Sequence, residues 1–348
     1  MIEEKLEIVI PTYNRGNFLD KTLNSLFNSP LKDCKITIRD NASRDNTPDV
    51  CEKYSKLFSN LCVIRNDMNI GGNANILRSY ENASYPYIWV LADNDTLNLD
   101  DCDEFISAIE SNKYDLIICC SGDYVHQKYE SPTFEDNGAY ELIKEYRDND
   151  ENYLENNAQD LALILKKYFF MITSFIPSVV YRTSIINEDS IMKGYDYISL
   201  SYPHFSFILR ALNENLLTYK TKKDLVLKEK NPDDWEISNY NWYVRYIRCA
   251  LDIKDKKIQQ YMVQCKYDQS FMYTSLAQLI LAKAENEENL KEKIFNLIGT
   301  ILELKGMFKG FLYSIYLLSG YYFIPRKFCI YLYNKKAEAY GFNKLRTL

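Results

Sequence analysis

The first hundred residues alternate short apolar runs with polar loops. Leu6-Glu7-Ile8-Val9-Ile10, Lys35-Ile36-Thr37-Ile38-Arg39, Leu61-Cys62-Val63-Ile64-Arg65 and Tyr87-Ile88-Trp89-Val90-Leu91 are short, rich in β-branched side chains and bounded by turn residues. That pattern predicts four strands. Between the first two, Phe18, Leu19, Leu23, Leu26 and Phe27 recur at helical spacing. A second helix opens at Asp45–Thr47, whose side chains suit a cap, with Pro48 tolerated in the first turn. A third runs through Leu77 to Asn82. Each strand empties into a polar or glycine-rich loop: Pro11-Thr12-Tyr13-Asn14-Arg15-Gly16, then Asp40 to Thr47, then Asn69-Ile70-Gly71-Gly72-Asn73-Ala74-Asn75, then Asp93-Asn94-Asp95. Strands alternating with helices, with all the loops at the strands' carboxyl ends, predict an α/β fold. It is a doubly wound, mostly parallel sheet with a ligand crevice beyond the strand ends.

Further along, the pattern is less regular. Leu116 to Cys120, Ser178 to Arg182 and Leu225 to Leu227 read as strands, and Phe205, Phe207, Ile208, Leu209 and Leu212 as an apolar helix. Residues Glu130 to Asn157, rich in Asp, Glu, Asn and Tyr, read as an acceptor-side insertion or a mobile loop. After Asn239 the spacing turns helical: Tyr243, Ile247, Ala250 and Leu251 make one stripe, and others run through 271–284 and 290–304. At 348 residues the chain exceeds a comfortable single core. The expected division is 1–230, an α/β domain, and 231–348, a mainly helical C-terminal region with a basic, aromatic tail.

The apolar run Tyr87 to Ala92 ends in two carboxylates one residue apart. Such a pair is either a solvated strand end or the start of a site for a hard divalent cation. A cation held by two carboxylates needs further oxygen ligands, which phosphates commonly supply. The nine cysteines are scattered, with no Cys-x-x-Cys pair. Reduced core thiols are the plainer reading and imply a reducing compartment. Met1-Ile2-Glu3-Glu4-Lys5 is too acidic for a secretory leader, and a strand follows at once.

Charge is segregated along the chain. From Lys305 onward, eight basic side chains face one acid, a net of +7; the whole chain is −6, so residues 1–304 carry −13. Aromatics interleave with those cations, and Gly310 to Ile324 is uncharged. Those 15 residues reach about 22 Å as a helix, short of the ~30 Å of a bilayer core. The segment suits either an interfacial element drawn to anionic lipid or a packed helix pair with a basic rim. Nucleic acid is not an expected partner of a tail on so acidic a body.

The four loops together resemble the family 2 glycosyltransferases with a GT-A fold. The matching residues are Ile8 to Arg15, Asp40-Asn41-Ala42-Ser43 with Asp45 and Thr47, Asn69 with Gly71-Gly72 and Asn75, and Asp93-Asn94-Asp95. The run from Ser174 to Leu212 looks most like the abequosyltransferase-like members, which act in bacterial surface-polysaccharide assembly. The resemblance implies an inverting, metal-dependent transfer of a hexose or deoxyhexose. The donor is a nucleoside-diphosphate sugar and the acceptor a glycan or lipid-linked glycan, at the cytoplasmic face of the membrane. It further implies Asp95 as the main ligand of Mn or Mg, with Asp93 assisting through the ribose or a metal-bound water. Asp40 would read the nucleobase edge. Pro11, Thr12, Tyr13, Asn14 and Arg15 would line the base and ribose pocket, with Asn41, Asn69, Asn75 and Asn94 beside it. Gly71 and Gly72 would let the backbone approach the donor closely. A non-catalytic nucleotide-sugar-binding subunit is the other class open to this pattern.

The chain departs from the family at the base. Many relatives place Glu-Asp before a helix carrying Leu-x-x-Arg, and that Asp is the base. Here Ile208-Leu209-Arg210 keeps the helix signature, and counting back seven from Arg210 lands on Pro203-His204. His204 thus stands in the place of the Asp, as base, as metal or substrate contact, or as a helix-start residue. Asp196 is the alternative base. His126 has no partner motif and reads as a surface residue.

Overall fold

A computed structural model gives the fold. It describes residues 1–81, 83–99, 102–119, 161, 175–214, 216–227, 248–263, 279–280, 282–284, 286, 289–305 and 307–340. The chain divides into two compact units, Met1–Tyr129 with Ala139–Lys230, and Glu130–Gly138 with Asn231–Leu348. The expected insertion at Glu130 to Asn157, the stripe through Tyr243 and Ile247, and His126 lie outside the described residues.

In the first unit the strands and helices alternate as expected. They run β1 (Leu6–Thr12), α1 (Gly16–Phe27), β2 (Lys35–Asp40), α2 (Thr47–Ser55), β3 (Leu61–Arg65), α3 (Gly72–Glu81) and β4 (Tyr87–Val90). There follow β5 (Thr96–Leu97), α4 (Asp103–Ser111), β6 (Leu116–Ile118), β7 (Val179–Arg182), α5 (Glu188–Asp196), α6 (Phe205–Glu214), β8 (Thr218–Lys220) and β9 (Val226–Leu227). Seven strands form one sheet in the order β3-β2-β1-β4-β7-β6-β8. β1 pairs parallel with β2 and β4, and β2 with β3. β7 runs antiparallel between β4 and β6, so the sheet is mixed. The strand expected at 225–227 exists, but it joins Thr96–Leu97 in a separate two-stranded sheet. The strand expected over Leu116 to Cys120 ends at Ile118.

Both faces of the central strands are buried, which is why they read as nearly continuous apolar runs. On one face Leu6, Ile8, Ile10, Ile36, Ile38, Trp89 and Leu91 pack with Leu19, Leu23 and Leu26 of α1, Tyr54 of α2 and Phe105 of α4. On the other, Tyr80 of α3, Tyr181 of β7 and Phe207 of α6 meet ring to ring, with centroids 4.8 to 5.8 Å apart. This core holds the strand ends still, and the loops beyond them carry the site. No disulfide joins the seven described cysteines. Burial pushes the Cys34 thiol up to about 12 and that of Cys51 up to about 11, as befits inert core thiols.

The described part of the second unit is helical: α7 (Lys256–Val263), α8 (Leu290–Lys305), α9 (Met307–Phe323) and α10 (Arg326–Tyr340). α8 and α9 lie against one another. Pro325 separates α9 from α10, where Cys329 and Ile330 close a small core with Ala284, Ile280 and Ile324. Among the described residues no helix is long and apolar enough to cross a membrane.

Candidate active site

The site grows from the carboxyl ends of β1, β2, β3 and β4. Past Val90 the chain stays in register, with the Leu91 amide donating to the Val9 carbonyl. It then turns Asp93 and Asp95 into the interior, where they are 4% and 7% exposed. The Thr12 hydroxyl donates to Asp93 Oδ2 at 2.8 Å, and Arg15 Nη1 reaches Oδ1 at 3.2 Å. The Thr22 hydroxyl of α1 fixes the Asp93 carbonyl at 3.0 Å. Burial pushes the Asp93 carboxyl above its ordinary pKa, while Arg15 and Thr12 pull the other way without overcoming it. Asn94 is half-buried between the two acids.

The ends of β1 and β2 are bolted together. Thr12 lies opposite Asp40 in register, and the Asn41 amide donates to the Thr12 carbonyl at 2.9 Å. Pro11 pairs with Arg39 one step earlier. Asn14 sits in the left-handed region at φ 52°; its amide donates to Ser43 Oγ, and its side chain accepts from the Arg44 amide. Asp45 accepts from the Gly16 amide and from the amide and hydroxyl of Thr47. Desolvation raises the Asp45 pKa, but those hydrogen bonds outweigh it and leave the carboxyl below its ordinary value. Tyr13 is exposed at 39%, on the open side of the loop.

Asp40 is buried and ion-paired to Arg65 Nη1, while its Oδ1 accepts from the Ser43 amide. Arg65 Nη2 also donates to the Ser43 carbonyl at 2.6 Å. Four asparagines continue the bracket. Asn66 donates to Asn41 and Asn75, each at 2.9 Å, and Asn41 donates to Asn69 at 2.7 Å. Asn75 then donates to the Arg39 carbonyl at 3.0 Å. Arg65, Asn66 and Thr22 were not singled out from the sequence. Arg65 ends the third strand and Asn66 follows it, and the rule that polar residues at a strand's carboxyl end belong to the site finds both.

Gly71 adopts φ 89°, which a side chain would resist. A Cβ at Gly71 or Gly72 would meet nothing within 4 Å, so the space over this turn is open. Asn73 of α3 reaches across to the Ile198 carbonyl at 3.1 Å and so ties α3 to the turn preceding α6. His204 lies in that turn and is buried; its ring is 6.4 Å from that of Tyr202. Asp196, at the end of α5, has its side chain 70% exposed and paired to Lys193 at 3.6 Å. The structure thus gathers Thr12, Arg15, Asp40, Asn41, Asn69, Asn75 and Asp93 into one bonded cluster, and Asn73 of α3 bonds the same turn that carries the buried His204. Asp196 points to solvent. Among the described residues no three His, Cys, Asp or Glu side chains form a group that could hold a metal by themselves.

A mixed α/β sheet with polar loops at the parallel strands' carboxyl ends is the frame of the GT-A nucleotide-sugar transferases. Residues 7–170 match the Glycosyl transferase family 2 domain; the chain carries that domain and is a glycosyltransferase. It is 25% identical over 324 residues to abequosyltransferase RfbV of Salmonella typhimurium, covering 85% of this chain and 92% of that one. The fold is similar to that of S. aureus TarS 1–349, with a TM-score of 0.57 at 16% identity over 97% of this chain and 92% of that one. It is also similar to the mannosyltransferase PcManGT of Pyrobaculum calidifontis, solved with GDP-Man and Mn2+. There the TM-score is 0.52 at 11% identity, over 91% of this chain and 85% of that one.

Proposed function

We propose that the protein is an inverting, metal-dependent glycosyltransferase. It moves a hexose or deoxyhexose from a nucleoside-diphosphate sugar to a hydroxyl of a lipid-linked or surface glycan, at the cytoplasmic face of the membrane. The observation that carries this reading is the Asp93 carboxylate, buried and clamped by Thr12 and Arg15 beside a second buried carboxylate, Asp95. The names of its relatives support the same class: RfbV is an abequosyltransferase, and TarS 1–349 has been solved with UDP-GlcNAc.

Two buried aspartates supply hard oxygen donors, which suit Mg or Mn. Asp95, with Asp93, would hold the ion, which supplies Lewis-acid neutralisation of the leaving diphosphate. The chain's own residues do the rest. The Asp40–Arg65 pair and the asparagine bracket fix the walls that take the base and ribose. The open turn at Gly71 and Gly72 lets the donor approach the backbone. Asp93 holds Thr12 and Arg15 in place under it.

The acceptor hydroxyl must lose a proton, and we assign that role to His204 over Asp196. The His204 turn is anchored to the helix that begins at the donor loop, whereas the Asp196 carboxylate is solvated and ion-paired to Lys193. One assay tests the whole reading: Mn-dependent release of nucleoside diphosphate from UDP-, CDP-, GDP- and dTDP-sugars, with and without acceptor. Asp95→Asn should remove most release with every donor. His204→Ala should lower turnover with acceptor while leaving the donor Michaelis constant nearly unchanged. Asp196→Asn should match wild type. Normal metal-dependent turnover by Asp95→Asn would sink the assignment, and a silent His204→Ala would return the base to Asp196.

A further inference from the structure

The second unit carries an apolar surface that its own fold leaves uncovered. In α9, Ser314, Leu317 and Gly320 are buried, whereas Phe311, Leu312, Ile315, Tyr322 and Phe323 are 49% to 82% exposed. At 100° per residue the exposed set falls within an arc of roughly 120°, a single helix face. No charged residue occurs between Gly310 and Ile324, so this face holds no lysine or glutamate to keep it in water. α10 behaves likewise but adds charge. Cys329 and Ile330 turn inward; Phe328 and Tyr331 stack at 6.1 Å on the exposed side, flanked by exposed Lys327 and Lys335. Large exposed apolar patches on a folded chain mark interaction sites.

The chemistry of the patch selects its occupant. Aromatic rings mixed with lysines suit the headgroup layer of a bilayer, where rings sit between hydrocarbon and water and cations meet anionic lipid. α9 is 17 residues long, and among the described residues no helix can cross a membrane, so contact in the plane is the available mode. A second copy of the chain would bring the same cationic face against itself, with +7 on each C-terminal region. An anionic surface complements that charge instead and repels the remaining −13.

We propose that the exposed faces of α9 and α10 form a docking surface for anionic phospholipid, with Phe311, Leu312, Ile315, Tyr322 and Phe323 entering the acyl boundary and Lys327 and Lys335 meeting the headgroups. This deepens the membrane location given under Proposed function and rests on it, but it is independent of the transfer chemistry. The two fail separately, because nucleoside diphosphate release in solution needs no lipid.

The test is flotation of the full chain with phosphatidylcholine vesicles, with and without phosphatidylglycerol. The wild-type chain should float with the anionic vesicles only, and less at high salt, since screening weakens headgroup attraction. The triple variant Phe311→Ser, Leu312→Ser, Ile315→Ser changes exposed residues only, so it should keep the wild-type melting temperature and release activity while its vesicle partitioning falls at least tenfold. Lys327→Glu with Lys335→Glu should lower partitioning at low salt alone. The proposal is overturned if wild type ignores phosphatidylglycerol vesicles or if the folded triple variant floats as wild type does. It is equally overturned if the triple variant converts a dimer to a monomer with vesicle binding unchanged, which would make the face a contact between copies.

Discussion

Asp93 accepts from a hydroxyl and a guanidinium, yet burial still raises its pKa, so its charged form is costly inside the fold. The sign follows from linkage. The folded protein binds this proton more tightly than the unfolded chain does. The contribution to metal-free stability is therefore full below the ordinary carboxylate value of about 3.9 and is lost as pH rises from there through the raised folded value. Asp93→Asn should remove that loss: in chelator, its melting temperature should fall less than that of wild type between acid and neutral pH. Saturating Mn should reverse the order at neutral pH by stabilising wild type and leaving the variant unmoved. Superimposable curves for the two proteins in chelator and in Mn would show that Asp93 neither carries this cost nor serves the ion. At this scale much of the site is legible in the chain, because Thr12, Asp40, Asn41 and Asp93 lie at or just past the ends of strands, where polar residues line a ligand crevice. Arg65 and Asn66 escape because what places them in the site is their partners Asp40, Ser43, Asn41 and Asn75, which lie 9 to 25 positions away along the chain. The hydrogen bonds that join four asparagines separated by up to 34 positions have no sequence signature at all.

Among the elements, α3 and α5 close on the turn that carries His204, the residue proposed as base. A Cβ at Gly194 of α5 would lie 2.6 Å from Leu77 Cδ1 of α3 and 3.1 Å from the Pro203 carbonyl. The glycine is there for closeness, and the oxygen it approaches belongs to the residue preceding His204. Gly194→Ala should therefore push two elements apart. Overpacking of this kind costs ~1–3 kcal/mol, read as a lower urea midpoint. Turnover with acceptor should fall further than donor affinity does, because the His204 turn moves and the β1–β2 bracket does not. Equal losses in both would mean that the two regions move as one. Helices and long strands are legible at this scale since each carries a period: α1 and α6 are found where the apolar spacing puts them. β5 and β8 are not, because two or three residues carry no period, and their pairing depends on segments more than a hundred residues away. The reversed direction of β7 is equally silent, since its alternation is the same whichever way the strand runs.

For the whole molecule, composition and architecture divide at nearly the same place. The acidic, sheet-based first unit holds every proposed donor contact, and the helical second unit holds the basic C-terminal segment. The first unit has its own two-faced core, with Trp89 and Ile88 both fully buried on opposite sides of the sheet. A core of that kind needs no outside cover to repel water. We therefore expect a fragment of residues 1–230 to fold by itself and to bind donor as the full chain does. In urea it should unfold in one cooperative transition, with a slope smaller than that of the full chain because less surface is exposed. Donor at 100 times its dissociation constant should stabilise fragment and full chain alike by about 2.7 kcal/mol. Vesicle flotation should disappear, since α9 and α10 are gone. A fragment that melts without cooperativity, or one whose donor affinity drops more than tenfold, would show that the C-terminal helices complete the nucleotide site, and 230/231 would then be a change of composition rather than a boundary between domains.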